Sequence, residues 1–386
     1  MSSLPTASIC AGIPAINNTL YRRIQFSVGD PTVLIEVPAE KGTHSLLLLR
    51  DVEIERAKKF AKVDQVGCPA DFTPEGGLSG DRETATAQAS AEYLRRQGVK
   101  SVVADRSLPL IYAKFLGLAG IEVSCDENLW VVERRQKSEV EIEHLREAQR
   151  VTEQAIQYAC EMIAKAEARS GGVLYHDGAP LTSERVRTSV DVFLLKRGFT
   201  TPTAIIAGGP AGADCHNHGA GELLTESPVI VDIFPRSQET RYNGDCTRTV
   251  VHGSVSDDIK AMHAAVREAI VAGKQATKAG VTGEDVHVAT IGMLQANGFD
   301  IGLPGEDDPD FYCAMTCGTG HGIGLEVHEP PLLDFKGPTL LAGEALTIEP
   351  GLYRRDLGGV RIEDMVVVTP DGCLDLNELH DGLDWT

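Results

Sequence analysis

Four carboxylates in the second half of this chain lie beside β-branched runs of the kind found in buried strands. A carboxylate in such a strand destabilises the fold unless it is paired or bound to a metal ion. A histidine within the glycine-rich segment 318–324 accompanies them. Together these residues predict a site that collects cations. The candidate metal ligands are Asp232, Asp245, His321, Glu349 and Glu363.

The spacing of the carboxylates favours two hairpins. Asp232 and Asp245 are 13 residues apart, and Glu349 and Glu363 are 14 residues apart. Two such hairpins can present four carboxylates to one cavity, and two divalent cations would neutralise them. Oxygen-rich ligation with one imidazole suits Mn²⁺ best, or else Co²⁺ or Zn²⁺. Such a pair of metals can activate a bridging water and polarise a carbonyl, which indicates hydrolysis of an amide-like bond.

Length and composition limit the class of protein. The 386 residues, 42% of them hydrophobic, suffice for two domains. A net charge of −20 argues against nucleic acid or an anionic membrane as a partner, because both are bound through basic patches. The first residues lack the pattern of a signal peptide, and no apolar run reaches the ~18 residues of a membrane span. Nine scattered cysteines indicate free thiols in a reducing compartment, so we expect a cytoplasmic protein.

The first part of the chain alternates strand and helix patterns. Strands are predicted at 32–37, 45–49, 101–104 and 121–123, with helices at 78–97 and 109–117. This order predicts a βαβ unit in a small α/β domain. A polar stretch at 133–138 marks the predicted boundary. The domains are therefore residues 1–135 and residues 136–386.

The second domain is predicted to be α+β, with helices covering a curved sheet. Helices are predicted at 137–168, 183–197, 257–272 and 282–296. Ser256 is a predicted N-cap, and Thr282 with Asp285 forms a predicted capping box. Strands are predicted at 203–207, 229–233, 247–251, 345–349 and 359–369.

The motifs around the candidate ligands resemble those of the pita-bread metallopeptidases, and most closely the branch of aminopeptidase P and prolidase. They are an Asp that ends a strand, Asp-x-Thr-Arg-Thr at 245–249, Gly-His-Gly-Ile-Gly-Leu-Glu-Val-His-Glu at 320–329, Ile-Glu-Pro-Gly-Leu-Tyr at 348–353 and Gly-Val-Arg-Ile-Glu-Asp at 359–364. The resemblance covers residues 136–386 and implies the pita-bread fold there. Residues 1–135 resemble a creatinase-like N-terminal α/β domain in size and pattern.

The resemblance implies a role for each candidate ligand. Asp232 would chelate one metal ion, and Asp245 and Glu363 would bridge both ions. His321 and Glu349 would hold the second ion. Glu349 would also relay the proton of the attacking water, which would be a hydroxide bridging the two metals.

The same resemblance implies further catalytic residues. His328 would contact the substrate and stabilise the developing oxyanion, and Arg361 would anchor a bridging carboxylate by a charge-assisted hydrogen bond. A pocket histidine normally precedes the first Asp by about 17 residues. His216 precedes Asp232 by 16 residues and is the preferred candidate, while His218 remains an alternative.

One position departs from the family pattern. The branch usually has a histidine four residues before His321, where this chain has Cys317. A thiol cannot supply the hydrogen-bond donor of an imidazole. We therefore expect weaker catalysis or an altered pocket on the leaving-group side.

The resemblance favours an Xaa-Pro aminopeptidase, which cleaves the N-terminal Xaa-Pro bond of a peptide with proline in second position. The alternative is prolidase, an Xaa-Pro dipeptidase, which needs a group that captures the carboxylate of proline. Candidates for that group are Arg236, Arg241, Arg354 and Arg355. A creatinase-type hydrolase and a catalytically retired binding module are both disfavoured, because relatives of either kind lose metal ligands and all five are present. The resemblance also implies a homodimer.

Overall fold

The computed structural model describes residues 6–40 and 42–386. The chain divides into two compact units, Met1–Arg134 and Arg135–Thr386. This division falls inside the polar stretch 133–138. Within the described ranges, no helix combines the length and the apolar character of a membrane span.

The first unit is built on a mixed six-stranded sheet. Its strands are β1 (Ala7–Gly12), β2 (Thr32–Pro38), β3 (Thr43–Leu48), β4 (Gln65–Gly67), β5 (Ser101–Ala104) and β6 (Glu122–Cys125). Their spatial order is β4-β3-β2-β1-β5-β6. β1 is antiparallel to β2 but parallel to β5, and β5 is parallel to β6.

Helices cover both faces of this sheet, because neighbouring residues of a strand point to opposite sides. The helices are α1 (Asn18–Ile24), α2 (Ile54–Phe60), α3 (Arg82–Arg96) and α4 (Leu110–Leu118), and α5 (Val131–Arg135) follows near the boundary. Ile9 belongs to the core formed with α3 and α4, whereas Cys10 belongs to the core formed with α1 and α2. The β5-α4-β6 segment confirms the predicted βαβ unit. The sequence prediction missed β1, β4, α1 and α2, which are too short for a clear period.

Four long helices of the second unit begin at side-chain caps. They are α6 (Glu139–Ala164), α7 (Ser183–Leu195), α8 (Asp257–Ala276) and α9 (Gly283–Ala296). Ser138 with Glu141 and Thr282 with Asp285 form capping boxes, and Ser256 caps α8. These side chains satisfy backbone N–H groups that have no partner within the helix. The predicted caps at Ser256 and Thr282 are thereby confirmed.

The strands of the second unit lie in several sheets. The first strands are β7 (Glu167–Ala168), β8 (Leu174–His176), β9 (Ala179–Pro180), β10 (Phe199–Thr200), β11 (Ile205–Gly208), β12 (Pro228–Ile233), β13 (Arg236–Ser237) and β14 (Cys246–Val251). The later strands are β15 (Asp300–Ile301), β16 (Cys313–Met315), β17 (Gly320–Gly322), β18 (Glu329–Leu333), β19 (Ala345–Ile348), β20 (Gly351–Arg354), β21 (Gly358–Arg361), β22 (Asp364–Val368) and β23 (Cys373–Asp375). The larger sheets have the orders β11-β12-β14, β15-β16-β20-β21 and β18-β17-β19-β22-β23.

Two apolar cores hold the helices against these sheets. Residues of α6 and α7, such as Ile156 and Val190, pack with Val231 of β12. Residues of α8 and α9, such as Val266, pack with Val366 of β22. Burial of each such side chain contributes about 1.5–3 kcal/mol to stability. The ends of β12, β14, β19 and β22 border a cavity, and the four predicted carboxylate ligands lie at these ends.

Candidate metal centre

The first hairpin carries Asp232 and Asp245. β12 and β14 pair in antiparallel register, with Asp232 opposite Thr247. Asp245 comes directly before β14, on the same side of the chain as Thr247 because the two residues are two positions apart. Both aspartates are buried. The register therefore places both carboxylates at the same end of the hairpin.

The second pair, Glu349 and Glu363, lies where the chain changes sheets. Glu349 directly follows β19 and Glu363 directly precedes β22. These two strands pair with each other, with Ile348 opposite Asp364. The residues between them form β20 and β21, which pair in a different sheet. Both glutamates thus lie at one junction between sheets.

Thr247 joins the two pairs of carboxylates. Its hydroxyl donates to Glu363 Oε2 at 2.8 Å, and its carbonyl oxygen accepts the Glu363 N–H at 3.1 Å. Thr247 belongs to the Asp-x-Thr-Arg-Thr motif, for which only Asp245 was predicted as a ligand. Thr247 is at 0% exposure in the structure, but a threonine inside a β-branched run is ordinary strand composition and carries no separate signal.

His321 comes from β17, which lies against β19. A Cβ atom at the preceding Gly320 would lie 2.0 Å from Thr347 O, so only glycine permits this approach. The His321 N–H donates to Thr347 Oγ1 at 3.1 Å. The ring Nδ1 lies 3.1 Å from Gly322 O, so Nδ1 carries the proton and Nε2 has a free lone pair.

The five side chains converge on one wall of a cavity of about 430 Å³. His321 Nε2 lies 3.4 Å from Glu349 Oε1 and 3.8 Å from Asp245 Oδ2. Ligand atoms of Asp245, His321 and Glu363 lie within 4.8 Å of one another. Hydrogen-bond acceptors that face one another at these distances need a proton or a cation between them.

Asp232 has one oxygen committed and one free. Arg361 Nη2 donates to Asp232 Oδ2 at 2.6 Å. Asp232 Oδ1 is buried and has no hydrogen-bond partner among the described residues. This orphaned oxygen, together with the facing acceptors around His321, fits the binding of metal ions at this wall.

Burial and mutual repulsion shift the acidity of these groups. Burial, reinforced by Glu363 and Asp232, raises the pKa of Asp245 well above its usual range. Burial, reinforced by Glu349, does the same to the pKa of Glu363. Burial raises the pKa of Glu349 to about 7 and lowers the pKa of His321. The cluster therefore holds protons unless cations replace them.

Arg361 binds a different carboxylate from the one expected. The resemblance implies that it anchors a bridging carboxylate, but its guanidinium contacts Asp232, which the resemblance assigns to a single metal. It also donates to Thr247 Oγ1 at 3.2 Å, to Tyr353 Oη at 2.8 Å and to Cys215 O at 3.3 Å. β21, which ends at Arg361, lies beside β12 and so directs this side chain to Asp232.

Three imidazoles besides that of His321 line the same cavity, from His216, His218 and His328. The rings of His328 and His321 meet edge to face, with centroids 4.3 Å apart. Burial and the neighbouring His321 lower the pKa of His328, which favours its neutral form. His216 and His218 are both exposed and both reach the cavity wall, so the predicted alternatives lie together.

Cys317, the position that departs from the family pattern, also lines the cavity. Cys215, which sequence reasoning missed as a site residue, packs against the same apolar cluster as Cys317, and each thiol shifts the pKa of the other. The adjacent His216 was singled out, but a single thiol carries no signal of its own in the sequence.

The four arginines proposed for carboxylate capture lie elsewhere. None of them is among the described residues that line the cavity. Arg354 forms ion pairs with Asp258 and Asp356. Arg236 Nε donates to the carbonyl of Arg241 at 3.1 Å. The guanidinium that does line the cavity, Arg361, is engaged by Asp232 and Tyr353.

Gln149 supports the centre from helix α6. Its amide donates to Asp245 O at 2.7 Å and accepts from Asp245 N at 2.9 Å, so it holds both backbone groups of a candidate ligand. It also donates to Asn377 Oδ1 at 3.1 Å. Gln149 is fully buried. A polar residue beside the apolar stripe of α6 was the signal for such a supporting role, but no role was predicted for Gln149.

The fold and the site define a metal-dependent hydrolase with a buried, oxygen-rich centre. The sequence model of metallopeptidase family M24 matches residues 143–370, more than half of the chain. The chain belongs to metallopeptidase family M24, and its second unit has the pita-bread fold of that family.

Individual relatives agree with this assignment. The chain is similar to the uncharacterized peptidase YqhT of Bacillus subtilis, at 36% identity over 40% of this chain and 41% of the relative. It is similar to the Xaa-Pro dipeptidase of Pyrococcus horikoshii, at 29% identity over 72% of this chain and 74% of the relative. The crystal structure of a prolidase from the same archaeon matches with a TM-score of 0.77 and 25% identity, covering 98% of this chain and 95% of that one. The first of these matches spans less than half the length of the curated relative.

Proposed function

We propose that this protein is an Xaa-Pro dipeptidase that uses two divalent metal ions, with Mn²⁺ as the expected metal. The observation that carries the proposal is the convergence of four carboxylates and one imidazole on one cavity wall. The relative of P. horikoshii that matches over 72% of this chain is named an Xaa-Pro dipeptidase. Aminopeptidase P was the first expectation from the sequence, and this relative favours the dipeptidase instead.

The residues at the centre divide into two ligand groups. Asp232 would hold one ion, His321 and Glu349 the other, and Asp245 and Glu363 both. Two bound divalent ions would supply Lewis acidity and an activated water. The orphaned Asp232 Oδ1 and the free Nε2 lone pair of His321 support this assignment.

We assign proton transfer to Glu349 and oxyanion stabilisation to His328. The Glu349 side chain keeps 21% of its surface open and lines the cavity, so its carboxylate can accept a proton there and deliver it to the proline nitrogen. His328 is exposed to the cavity beside His321, and its neutral ring can donate a hydrogen bond to a developing oxyanion.

Imidazoles are the available partners for the carboxylate of a dipeptide. Arg361 is engaged, so the exposed rings of His216 and His218 are the remaining basic groups at the wall, apart from His328. The acidic centre would hold the α-amine at the other end of the substrate. A dipeptide would therefore span the cavity from the acidic cluster to the imidazoles.

Xaa-Pro aminopeptidase is the second candidate, and one observation favours it. No arginine other than the engaged Arg361 is among the described residues that line the cavity. A site without a free guanidinium binds a terminal carboxylate less strongly. Longer peptides would then be accepted as well as dipeptides.

The test is hydrolysis by the Mn²⁺-loaded protein of Ala-Pro, Ala-Pro amide and Ala-Pro-Ala, with Ala-Ala as the control substrate. Cleavage of Ala-Pro well above the amide and the tripeptide supports the dipeptidase. Preferred cleavage of the tripeptide moves the assignment to the aminopeptidase. Glu349→Gln should reduce the rate by at least about 10³-fold because it removes a ligand and a proton acceptor. Glu306→Gln, in an exposed loop, is the matched control.

We further expect a homodimer in the cytoplasm. All nine cysteines are free thiols, which is compatible with a reducing compartment. Light scattering of the purified protein measures the oligomeric state directly.

A further inference from the structure

Two thiols from distant parts of the second unit meet at the wall of the active-site cavity. Cys215 follows the 3₁₀ turn Gly209–Ala213, and Cys317 lies between β16 and β17. Their side chains pack against the same small apolar cluster, and the two thiols are close enough to shift each other's pKa. Both line the cavity and both are partly exposed. An oxidant that enters the cavity can therefore reach the pair.

The surroundings hold the two sulfurs together. Both cysteines pack against one small apolar cluster that includes Ile230 and Tyr353. The backbone of Cys215 is also fixed, because Arg361 Nη1 donates to its carbonyl oxygen at 3.3 Å. A disulfide forms without large backbone movement only where two thiols already lie side by side. This pair meets that condition.

The two thiols differ in reactivity. The neighbouring Cys317 thiol, followed by the charges of His216 and Arg361, lowers the pKa of Cys215 to about 6 in spite of its burial. The neighbouring Cys215 and burial raise the pKa of Cys317. One nucleophilic thiolate beside one protonated thiol is the arrangement of an attacking and a resolving cysteine.

Other thiols of the chain lack this arrangement. Burial raises the pKa of Cys160 and Cys246, which lie in the apolar core or beside it. Cys125 is exposed, but it lies in the first unit on β6. Site-selective oxidation is therefore expected at the cavity rather than in the core.

We propose that Cys215 and Cys317 are a redox modification site, at which a peroxide forms a reversible disulfide that switches the active site off. The Cys215 thiolate attacks hydrogen peroxide, which gives Cys215 sulfenic acid and hydroxide. The Cys317 thiol then attacks that sulfur, forms the S–S bond and releases water. Two thiols and one hydrogen peroxide thus give one disulfide and two waters, and an external thiol reverses the oxidation.

The disulfide alters the catalytic wall through its neighbours. Cys215 precedes His216, and its carbonyl oxygen is held by Arg361, which in turn holds Asp232. The disulfide is expected to displace His216 and Arg361 by up to about 1 Å. Such a displacement should lower kcat/KM by about tenfold or more. This second effect rests on the proposed peptidase function, whereas formation of the disulfide does not.

The experiment treats the reduced, Mn²⁺-loaded protein with hydrogen peroxide and stops the reaction with catalase. One portion is alkylated, digested and mapped by mass spectrometry. A second portion is assayed on Ala-Pro before and after addition of a reducing dithiol. The expected result is a Cys215–Cys317 cross-linked peptide, with a loss of activity that the dithiol restores.

Variants separate this site from other thiols. Cys215→Ser and Cys317→Ser should each abolish the cross-link and the reversible loss. Cys125→Ser, the matched control, should retain both. The proposal is overturned if both cavity cysteines remain alkylated after peroxide treatment, or if the cross-link forms and activity does not change. An untreated protein without peptidase activity contradicts the proposed function alone, because the peptide map still tests the disulfide.

Discussion

At the scale of single residues, Arg361 connects most of the site. Its guanidinium holds Asp232 and contacts Thr247, Tyr353 and the backbone of Cys215. A charged donor that orients a ligand carboxylate keeps the second oxygen of that carboxylate free for the metal. The ion pair is buried, so each partner depends on the other.

Arg361→Lys should weaken metal binding while keeping the positive charge. A lysine cannot donate to Asp232, Thr247 and Tyr353 at once, so we expect the Kd for Mn²⁺ to rise by about 10–100-fold. Isothermal titration calorimetry of the metal-free protein measures this Kd. Arg355→Lys, at an exposed position, is the control, and an unchanged Kd for Arg361→Lys would show that Arg361 has no role in positioning Asp232.

Cys317→His tests the departure from the family pattern. The imidazole adds a hydrogen-bond donor at the cavity wall. One new hydrogen bond, to a charged group or to a charge that develops in the transition state, is expected to raise kcat/KM by up to about tenfold. Steady-state kinetics on Ala-Pro measures the change. Cys317→Ala serves as the comparison, because it removes the thiol without adding a donor. Equal or lower kcat/KM for Cys317→His than for Cys317→Ala would contradict the prediction.

At the scale of elements, the site depends on how closely β17 approaches β19. Gly320 and Thr347 meet where a side chain on residue 320 would collide with the backbone. His321 follows directly and takes its position from the same contact. The glycine beside His321 is therefore explained by packing, because it allows β17 to approach β19.

Gly320→Ala should destabilise the protein by about 1–3 kcal/mol, because its Cβ would lie 2.0 Å from Thr347 O. Urea unfolding of the metal-free protein measures the free energy. Gly292→Ala in α9 is the matched control, since no atom lies within 4 Å of its added Cβ. It should stabilise the helix by about 0.5–1 kcal/mol. Equal effects of the two substitutions would refute the close-packing explanation.

Elements with strong local signals were predicted well. The capped helices α8 and α9 and the hairpin of β12 and β14 lie within a few residues of the predicted ranges. The stretch 359–369 was predicted as strand-rich, but the structure divides it into β21 and β22 in different sheets, with Glu363 at the junction. The β-branched pattern continues across the junction, so only the pairing partners reveal it.

At the scale of the whole molecule, the four carboxylates of the acidic centre are part of a net charge of −20. Asp245, Glu349 and Glu363 hold protons more tightly in the folded protein than in ordinary surroundings. At these three positions the metal-free native state therefore binds more protons than the unfolded state. Their contribution to stability falls as pH rises through the window between the unfolded and folded pKa values.

Metal removal should have a pH-dependent effect on stability. For Glu349 the window lies between its ordinary pKa of 4.5 and its folded pKa of about 7. We expect the stability that protonated Glu349 gives the metal-free protein to be lost across this window, so the difference in melting temperature between Mn²⁺-loaded and metal-free protein should widen. Differential scanning calorimetry at several pH values measures both. In the Glu349→Gln variant, the difference in melting temperature between loaded and metal-free protein should depend less on pH. If that difference does not change with pH in the unmodified protein, the prediction is contradicted.

The sequence by itself determined the candidate ligands, their order and the strands that carry them, because strand period and helix caps are local properties. Only the tertiary structure decided that Arg361 holds Asp232, that Thr247 joins Glu363 to the first hairpin, and that Cys215 lies against Cys317. These partners are separated by about a hundred residues or more. Their contacts depend on how separate sheets pack against one another, and no local pattern specifies that packing.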